Sequence, residues 1–589
     1  MHVIATAGHV DHGKSTLVRA LTGMDPDRLG EEKQRGLTID LGFAWTRLAS
    51  GRQVTFVDVP GHARFVKNML AGAGVVDACL FVVAATEGFK AQSEEHLRIL
   101  ELLGLSHGVV ALTKTALADD DELELARLEL AERLAGTFLE KSRVVETDTA
   151  RGIGLAELQS ALDELTAVLP EPADVGRPRL WIDRSFAVRG VGTVVTGTLA
   201  GGALGVSDRL EAVPGTAPGD HPLGVRVRAL QRHLESLAAA GPGRLAVNLL
   251  GASHEQLGRG QALVRAGQWE PTKVLDATLV VLAGIGHRVS RRGAYQAHFG
   301  SGHQPVRIRL LGAESLSPGE TGLARLYLAR LLPLLPGDRY VLREAGRSET
   351  VGGGEVLDVS PVLPASRARP DRSVERVIAE RRFVEVELLE RLTGDRRLAD
   401  LGGRWAADRA ARFEAEQRLR AAVSAAGPLG LDTAGLGDLE RALLAEMADV
   451  TVEQGRAALA SAGGRDPLAA HPYLAALDAS PFSPPSPQEA GVDRAELSEL
   501  VRRHRVVESG GCYFSPAAVD KAADILRLLL SEEPGGVSAS RVREALGTSR
   551  KYLIPLLAHL DGSGLTRRRG DLRVAGPRLF DPDAARAGD

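Results

Sequence analysis

The segment Gly8-His9-Val10-Asp11-His12-Gly13-Lys14-Ser15-Thr16 constrains the fold of this chain more than any other feature. It fits the pattern G-x-x-x-x-G-K-[ST] and stands in the context that gives the pattern meaning. An apolar strand over residues 2–7 precedes it, and a helix over 17–21 follows. Gly8 and Gly13 let the backbone turn so that successive N–H groups aim at phosphate oxygens. Lys14 brings a point charge for the β- and γ-phosphates, and the Ser15 hydroxyl is a hard-oxygen ligand for Mg²⁺.

Two further motifs follow in order. Arg35-Gly36-Leu37-Thr38-Ile39-Asp40 lies in a polar, charged stretch between the first helix and the next strand, where a switch loop belongs. Asp58-Val59-Pro60-Gly61-His62 follows residues 54–57, a short apolar run that reads as a buried strand. A carboxylate at a strand end can hold the Mg²⁺ shell, and a glycine after it lets a backbone N–H reach the γ-phosphate. His62, beside that glycine, is placed to orient an attacking water. The residues alone therefore point to a nucleoside triphosphatase using Mg²⁺.

The chain has 589 residues, more than a single core of about 250–300 residues accommodates, so several domains are expected. To residue 169, apolar strand-like runs (80–85, 109–112) alternate with amphipathic helical ones (93–103, 121–134), which is α/β with a mostly parallel sheet. Pro170-Glu171-Pro172 and Gly176-Arg177-Pro178 mark a linker. Beyond it, β-branched runs at 185–188, 193–198, 223–230 and 245–249 read as an antiparallel barrel. Runs at 277–282, 305–311 and 339–342 read as a second one. After a Pro/Arg-rich linker at 361–372, short amphipathic helices dominate, at 374–380, 385–392, 414–422 and 521–530. Residues 521–574 give the clearest unit: a helix, then 537–546, then 549–560, then a hairpin of 565–569 and 572–574, the winged-helix plan. The fold class is thus multidomain: an α/β P-loop domain (1–170), two antiparallel β-barrels (176–265 and 270–362), and a C-terminal array of winged helices (370–410, 411–475, 476–518 and 519–578).

No run of eighteen or more apolar residues appears, so no membrane span is expected. The first strand begins at once, leaving no room for a signal peptide. Cys79 and Cys512 offer neither a disulfide framework nor a metal site. A cytoplasmic location follows as the expectation, and nothing suggests more than a monomer. With a formal charge of −4, contact with nucleic acid must come from local basic patches.

The three phosphate motifs resemble those of the translational GTPases of the elongation factor Tu class, and the GTPase-plus-two-barrels order resembles that class too. Arg189-Gly190-Val191-Gly192-Thr193-Val194-Val195-Thr196-Gly197 is similar to its second-domain strand signature. A winged-helix array after the barrels resembles the selenocysteine-specific elongation factors. The resemblance implies GTP and Mg²⁺ as cofactors, with Ser15, Thr38 and Asp58 around the metal and His62 as the catalytic residue. Gly8, Val10, Asp11, His12, Gly13, Lys14, Ser15, Thr16, Gly61, Thr113 and Lys114 would hold the nucleotide, and Val10 and Ile39 match the apolar pair flanking the histidine. It further implies a selenocysteine pocket of Asp183, Arg184 and Arg244. Two guanidiniums attract a selenolate and gain little from a serine hydroxyl. In the last unit, Ser549, Arg550, Lys551 and Tyr552 open a helix, and Arg567, Arg568, Arg569 and Arg573 occupy the hairpin. Basic charge there suits phosphates and Tyr552 suits base stacking. The partners implied are selenocysteinyl-tRNA, an mRNA selenocysteine insertion hairpin, and the ribosome. The competing readings are an RNA-binding adaptor with a nucleotide domain of impaired guanine specificity, and a general aminoacyl-tRNA delivery factor.

The sequence departs from the class at the base. Guanine is usually read by N/T-K-x-D, and this chain has Thr113-Lys114-Thr115-Ala116. Ala116 lacks the carboxylate that accepts from guanine N1 and N2. A charge-assisted contact of roughly 1.5–3 kcal/mol is lost with it. The second base loop, usually Ser-Ala, reads Asp148-Thr149. Three readings stay open: a replacement carboxylate from Asp148 or Asp119, relaxed base preference, or an altered copy.

Overall fold

Strand β1 (His2–Ala7) is buried at every position, as a strand covered on both faces must be. A computed structural model describes residues 1–26, 38–62, 65–73, 76–215, 220–427, 430–453, 455–460 and 468–580. The chain divides into two units, Met1–Ala399 with Ala406–Asp408, and Asp400–Trp405 with Arg409–Asp589. In the first, β1 is central in a six-stranded sheet with β2 (Gly42–Arg47), β3 (Gln53–Asp58), β4 (Ala78–Ala84), β5 (Gly108–Thr113) and β6 (Val144–Glu146). The order is β2-β3-β1-β4-β5-β6. Its pairings are parallel except that edge strand β2 runs antiparallel to β3.

Side-chain alternation splits this sheet's core in two. Ile4 packs with Leu17 and Leu21 of the helix Lys14–Thr22 and with Leu158 and Leu162 of the helix Leu155–Val168. Val3 and Ala5 face the other way, toward Met69, Leu97 and Leu130. Those three lie on the helices Val66–Ala73, Ala91–Leu102 and Asp120–Leu134. Parallel strands end on one edge, so the loops after β1, β3, β5 and β6 gather at their carboxyl ends, where open α/β sheets bind ligands.

The first barrel closes through Arg209–Val213, Ala262–Arg265, Arg179–Val188, Gly192–Ala200, Gly243–Leu250 and Leu223–Arg232, the last pairing back to Arg209–Val213. Register slips between Ile182 and Arg184, so Asp183 is the extra residue of a β-bulge. A bulge re-aims the side chains beside it. The second barrel closes through Thr272–Val281, Thr321–Leu332, Gly302–Leu311, Tyr295–Phe299, Arg339–Glu344 and Glu349–Asp358. Within it the buried Arg325 guanidinium grips Asp276 through two hydrogen bonds of 2.7 and 2.8 Å. The helices Val374–Arg381 and Val386–Thr393 complete this unit.

In the second unit the last core is built by the helices Pro516–Glu532, Ala539–Leu546 and Arg550–Gly562. They bury Leu526, Leu530, Val542, Leu546, Leu553 and Leu557 together. A three-stranded sheet of Val537–Ser538, Leu572–Ala575 and Thr566–Arg569 closes it. The helix expected from residue 537 starts later, because residues 537 and 538 pair with Arg573 and Leu572. Ser538 then caps the helix by accepting from Arg541 N–H. The expected helix over 414–422 extends to Arg409–Ala425.

Replacing Arg325 by Met strands the buried Asp276 carboxylate on the barrel's outer face, beneath the segment that carries Leu363. That change is expected to cost roughly 3–5 kcal/mol, seen calorimetrically as a lower midpoint for the barrel's transition. The double variant Arg325→Met/Asp276→Leu should recover most of the loss.

Candidate functional site

The loop after β1 is shaped by what it touches. Gly8 has φ +134°, and a Cβ there would collide with the Val82 carbonyl oxygen. Its N–H donates to His96 Nδ1 at 3.1 Å. Burial drives the His96 pKa down to about 3, so the ring is neutral and its Nδ1 is free to accept. His12 is also buried, which brings its pKa down to about 4, and its Nδ1 lies 3.2 Å from the Val82 carbonyl. Gly13 (φ 86°) begins the helix Lys14–Thr22, which has no side-chain cap. Its first N–H groups are therefore left for an anion.

Lys14 is nearly fully buried. Its ammonium donates to the carbonyls of Gly8 (3.1 Å) and His9 (2.6 Å). Burial lowers its pKa to about 8, while the negative charges of Asp58 and Asp11 pull the other way. Gly61 lies against it: a Cβ there would strike Lys14 Nζ and stand 2.7 Å from Val10 N. The backbone after β3 can approach the phosphate loop this closely only without a side chain.

Three hydroxyl and carboxylate groups converge beside the lysine. Ser15 Oγ is 2.6 Å from Asp58 Oδ2 and 2.8 Å from Thr38 Oγ1. Asp58 is wholly buried, and its second oxygen accepts from Thr6 Oγ1 at 2.7 Å. These are the hard oxygens a Mg²⁺ ion takes, so the residues fit the metal. Ile39 is tied down through its carbonyl to Asn68 Nδ2 at 2.8 Å. His62 lies next to Gly61, its ring 5.9 Å from that of Phe65. Arg35, Gly36 and Leu37 lie outside the described residues.

These groups line a cleft of about 740 Å³ that runs from Val10, Lys14, Ser15, Thr16, Thr38 and Gly61 to Thr113, Lys114, Asp148 and Thr149. At that far end Thr113 Oγ1 donates to the His12 carbonyl at 2.7 Å. Lys114, at φ 58°, pairs with Glu87 at 3.0 Å. Ala116 sits in the short turn Thr115–Leu117. Of the two candidate replacement carboxylates, Asp119 is engaged elsewhere, capping the helix Asp120–Leu134 in a reciprocal box with Glu122. Asp148 is buried and lines the cleft.

The bulge at Asp183 brings the arginine group together. Arg244 pairs with Asp183 through both guanidinium nitrogens, and Thr196 Oγ1 donates to Asp183 at 2.8 Å. Arg184 donates to the Leu41 carbonyl. Both guanidiniums lie over the Phe43 ring, at 3.4 Å for Arg244 and 4.9 Å for Arg184. Arg259, which no sequence motif marks, ties the barrel to the segment after Thr38. It donates to Asp40 at 2.6 Å, to Asn68 at 2.8 Å and to the Asp183 carbonyl at 3.1 Å. His96, Glu87 and Thr6 are likewise part of the site without a motif. Thr6 alone left a signal, as a polar residue inside an apolar strand.

In the terminal winged helix, Ser549 precedes the helix Arg550–Gly562. Arg550 and Lys551 are exposed, and Lys551 Nζ sits 5.0 Å above the half-buried Tyr552 ring. Arg567, Arg568 and Arg569 are exposed along the strand Thr566–Arg569. Arg573 differs: it is mostly buried, with Nε 3.0 Å from Asp561 Oδ2.

Family models match three parts of the chain. Residues 1–170 match the elongation factor Tu GTP binding domain, 279–362 the β-barrel domain of the selenocysteine-specific elongation factor, and 529–575 the winged helix of elongation factor SelB. The selenocysteine-specific elongation factor of Desulfomicrobium baculatum is 40% identical over 357 residues, 60% of this chain and 55% of that protein. That of Escherichia coli (strain K12) is 38% identical over 364 residues, 61% and 56% of the two chains. The matched stretch spans about half the length of these curated relatives. The crystal structure of a bacterial selenocysteine-specific elongation factor, EF-Sec, superposes with TM-score 0.72 at 24% identity, covering 98% of this chain and 99% of that one. SelB from Methanococcus maripaludis, in complex with the GTP analogue GPPNHP, gives 0.52 at 23% identity, covering 61% and 80%. The phosphate-loop domain thus matches the elongation factor Tu class, the second barrel and the terminal winged helix match SelB domains, and the chain is similar to the selenocysteine-specific elongation factors.

Proposed function

We propose that the chain is a GTP-hydrolysing translation elongation factor that delivers selenocysteinyl-tRNA to the ribosome while tethered to a hairpin in the mRNA. The observation that carries this reading is the convergence of Lys14, Ser15, Thr38 and Asp58 on one cleft closed by Gly61. Lys14 and the helix N-terminus take the phosphates, and the Gly61 N–H contacts the γ-phosphate. His62 orients a water that attacks the γ-phosphorus; the bond to the β–γ bridging oxygen breaks, and GDP and phosphate leave. Ser15, Thr38 and Asp58 would hold Mg²⁺, which when bound neutralises charge on the β- and γ-phosphate oxygens.

Arg184 and Arg244 take the selenolate of the aminoacyl group. Asp183 and Thr196 hold Arg244 in place, so discrimination against seryl-tRNA follows from charge. The exposed Arg550, Lys551, Arg567, Arg568 and Arg569 contact RNA phosphates, and Tyr552 stacks on a base. The buried position of Arg573 beside Asp561 fits a role in shaping the hairpin that carries the other arginines. The cytoplasm is the compartment for such a factor. Ala116 favours a second reading, an RNA-binding adaptor whose nucleotide domain has impaired guanine specificity.

Single-turnover hydrolysis separates the two. Ribosomes should stimulate GTP cleavage, and His62→Ala should lower the stimulated rate roughly a hundredfold, the scale of a misplaced reactant, with nucleotide affinity little changed. No stimulation in the unaltered protein would favour the adaptor. A gel shift with a selenoprotein mRNA hairpin should lose most of its affinity when residues 521–589 are deleted. Unchanged affinity would remove the RNA contact from this end.

A further inference from the structure

We infer that Asp148 has taken over the reading of the purine base from the position now held by Ala116, selecting a ring that presents an N1–H and a 2-amino group. This rests on the proposed guanine nucleotide in the cleft. Two adjacent N–H donors are best met by a carboxylate accepting with both oxygens, and the Ala116 side chain offers no acceptor.

The two base loops are held in register by one pair of residues. Thr115 donates to the Thr147 carbonyl through both its N–H (3.4 Å) and its hydroxyl (3.3 Å). Ala116 and Asp148 are the residues that follow directly on each side of that link, so the acid stands next to the place the missing one would occupy. Its backbone is locked by reciprocal hydrogen bonds with Ile153, both 3.0 Å. Its side chain is aimed by the Arg151 N–H, which donates to Oδ1 at 3.0 Å. Gly154 packs so tightly beneath this loop that a Cβ would strike the Glu146 carbonyl.

Asp148 is only 4% exposed, and it lines the cleft together with Lys114, Leu117, Thr149 and Ala150. Among the described residues no cation pairs with it. A carboxylate withdrawn from water needs donors or a partner charge, and among the described residues this one receives a single backbone N–H, from Arg151. A guanine edge supplies the remaining donors. The other carboxylates lining the cleft are Asp11, in the phosphate loop, and Asp25, just past the first helix. Asp119 is committed to its helix cap.

The test is equilibrium binding of GDP, IDP, XDP and ADP to the full chain, unaltered and as Asp148→Asn. IDP lacks the 2-amino group, and XDP replaces it with a carbonyl. The unaltered protein should prefer GDP to IDP and to ADP by at least tenfold. Asp148→Asn should lose at least tenfold in GDP affinity, erase the GDP-over-IDP preference and gain in XDP, because an amide can donate to the xanthine carbonyl. Its ADP affinity should stay as in the parent, which shows an intact phosphate loop. Adding Ala116→Asp to that variant should restore the GDP preference. Guanine preference that survives Asp148→Asn overturns this inference and leaves the guanine assignment standing; no preference in the unaltered protein overturns both.

Discussion

The nucleotide end of the molecule depends on an ammonium group withdrawn from water. Lys14 is buried; among the described residues its hydrogen-bond acceptors are the Gly8 and His9 carbonyls, and the charges of Asp58 and Asp11 lie nearby. Lowering a lysine from 10.5 to about 8 is a difference on the order of 3 kcal/mol between its protonation states. Hydrogen bonds to a charged group return about 1.5–3 kcal/mol each, so a phosphate can offset that burden. Between pH 8 and 10.5 the folded chain holds fewer protons at Lys14 than the unfolded chain, so the nucleotide-free protein gains stability as pH rises through that window. Below it the penalty is fully present.

Asp58 carries this constraint into the sheet. It joins Thr6 on β1, Ser15 on the first helix and its own place at the end of β3. From Thr38 the chain then runs four residues to β2. On the way Asp40 and Leu41 are held by Arg259 and Arg184 of the first barrel, and Phe43 lies under Arg184 and Arg244. The segment that meets Ser15 is thus the same segment that braces the arginine group. Continuous contacts thus run from Thr38 to the first barrel.

The parts legible in the sequence are those where local chemistry and fold agree. The phosphate loop, the Asp58 motif and the α/β alternation up to residue 169 announce themselves because buried parallel strands are continuous apolar runs. The barrels were legible as β-rich blocks but not strand by strand. Glu349–Asp358 contains Gly352, Gly353 and Gly354, which weaken any strand signal. They are there because Cβ atoms would strike the Val280, Tyr340 and Thr278 carbonyls of the neighbouring strands. Arg259 and His96 were invisible, since their partners are 219 and 88 residues away. The bulge at Asp183 was hidden too, because a one-residue slip in register leaves no mark in composition.

The central claim is that Lys14 is held out of water until a phosphate arrives. Side-chain NMR of Lys14, titrated with and without GDP and Mg²⁺, measures that most directly. Without nucleotide the ammonium should titrate near pH 8, as the buried geometry implies, and with nucleotide it should move up toward or past the ordinary lysine value. A Lys14 that titrates normally in the free protein, or that ignores the nucleotide, would contradict the account.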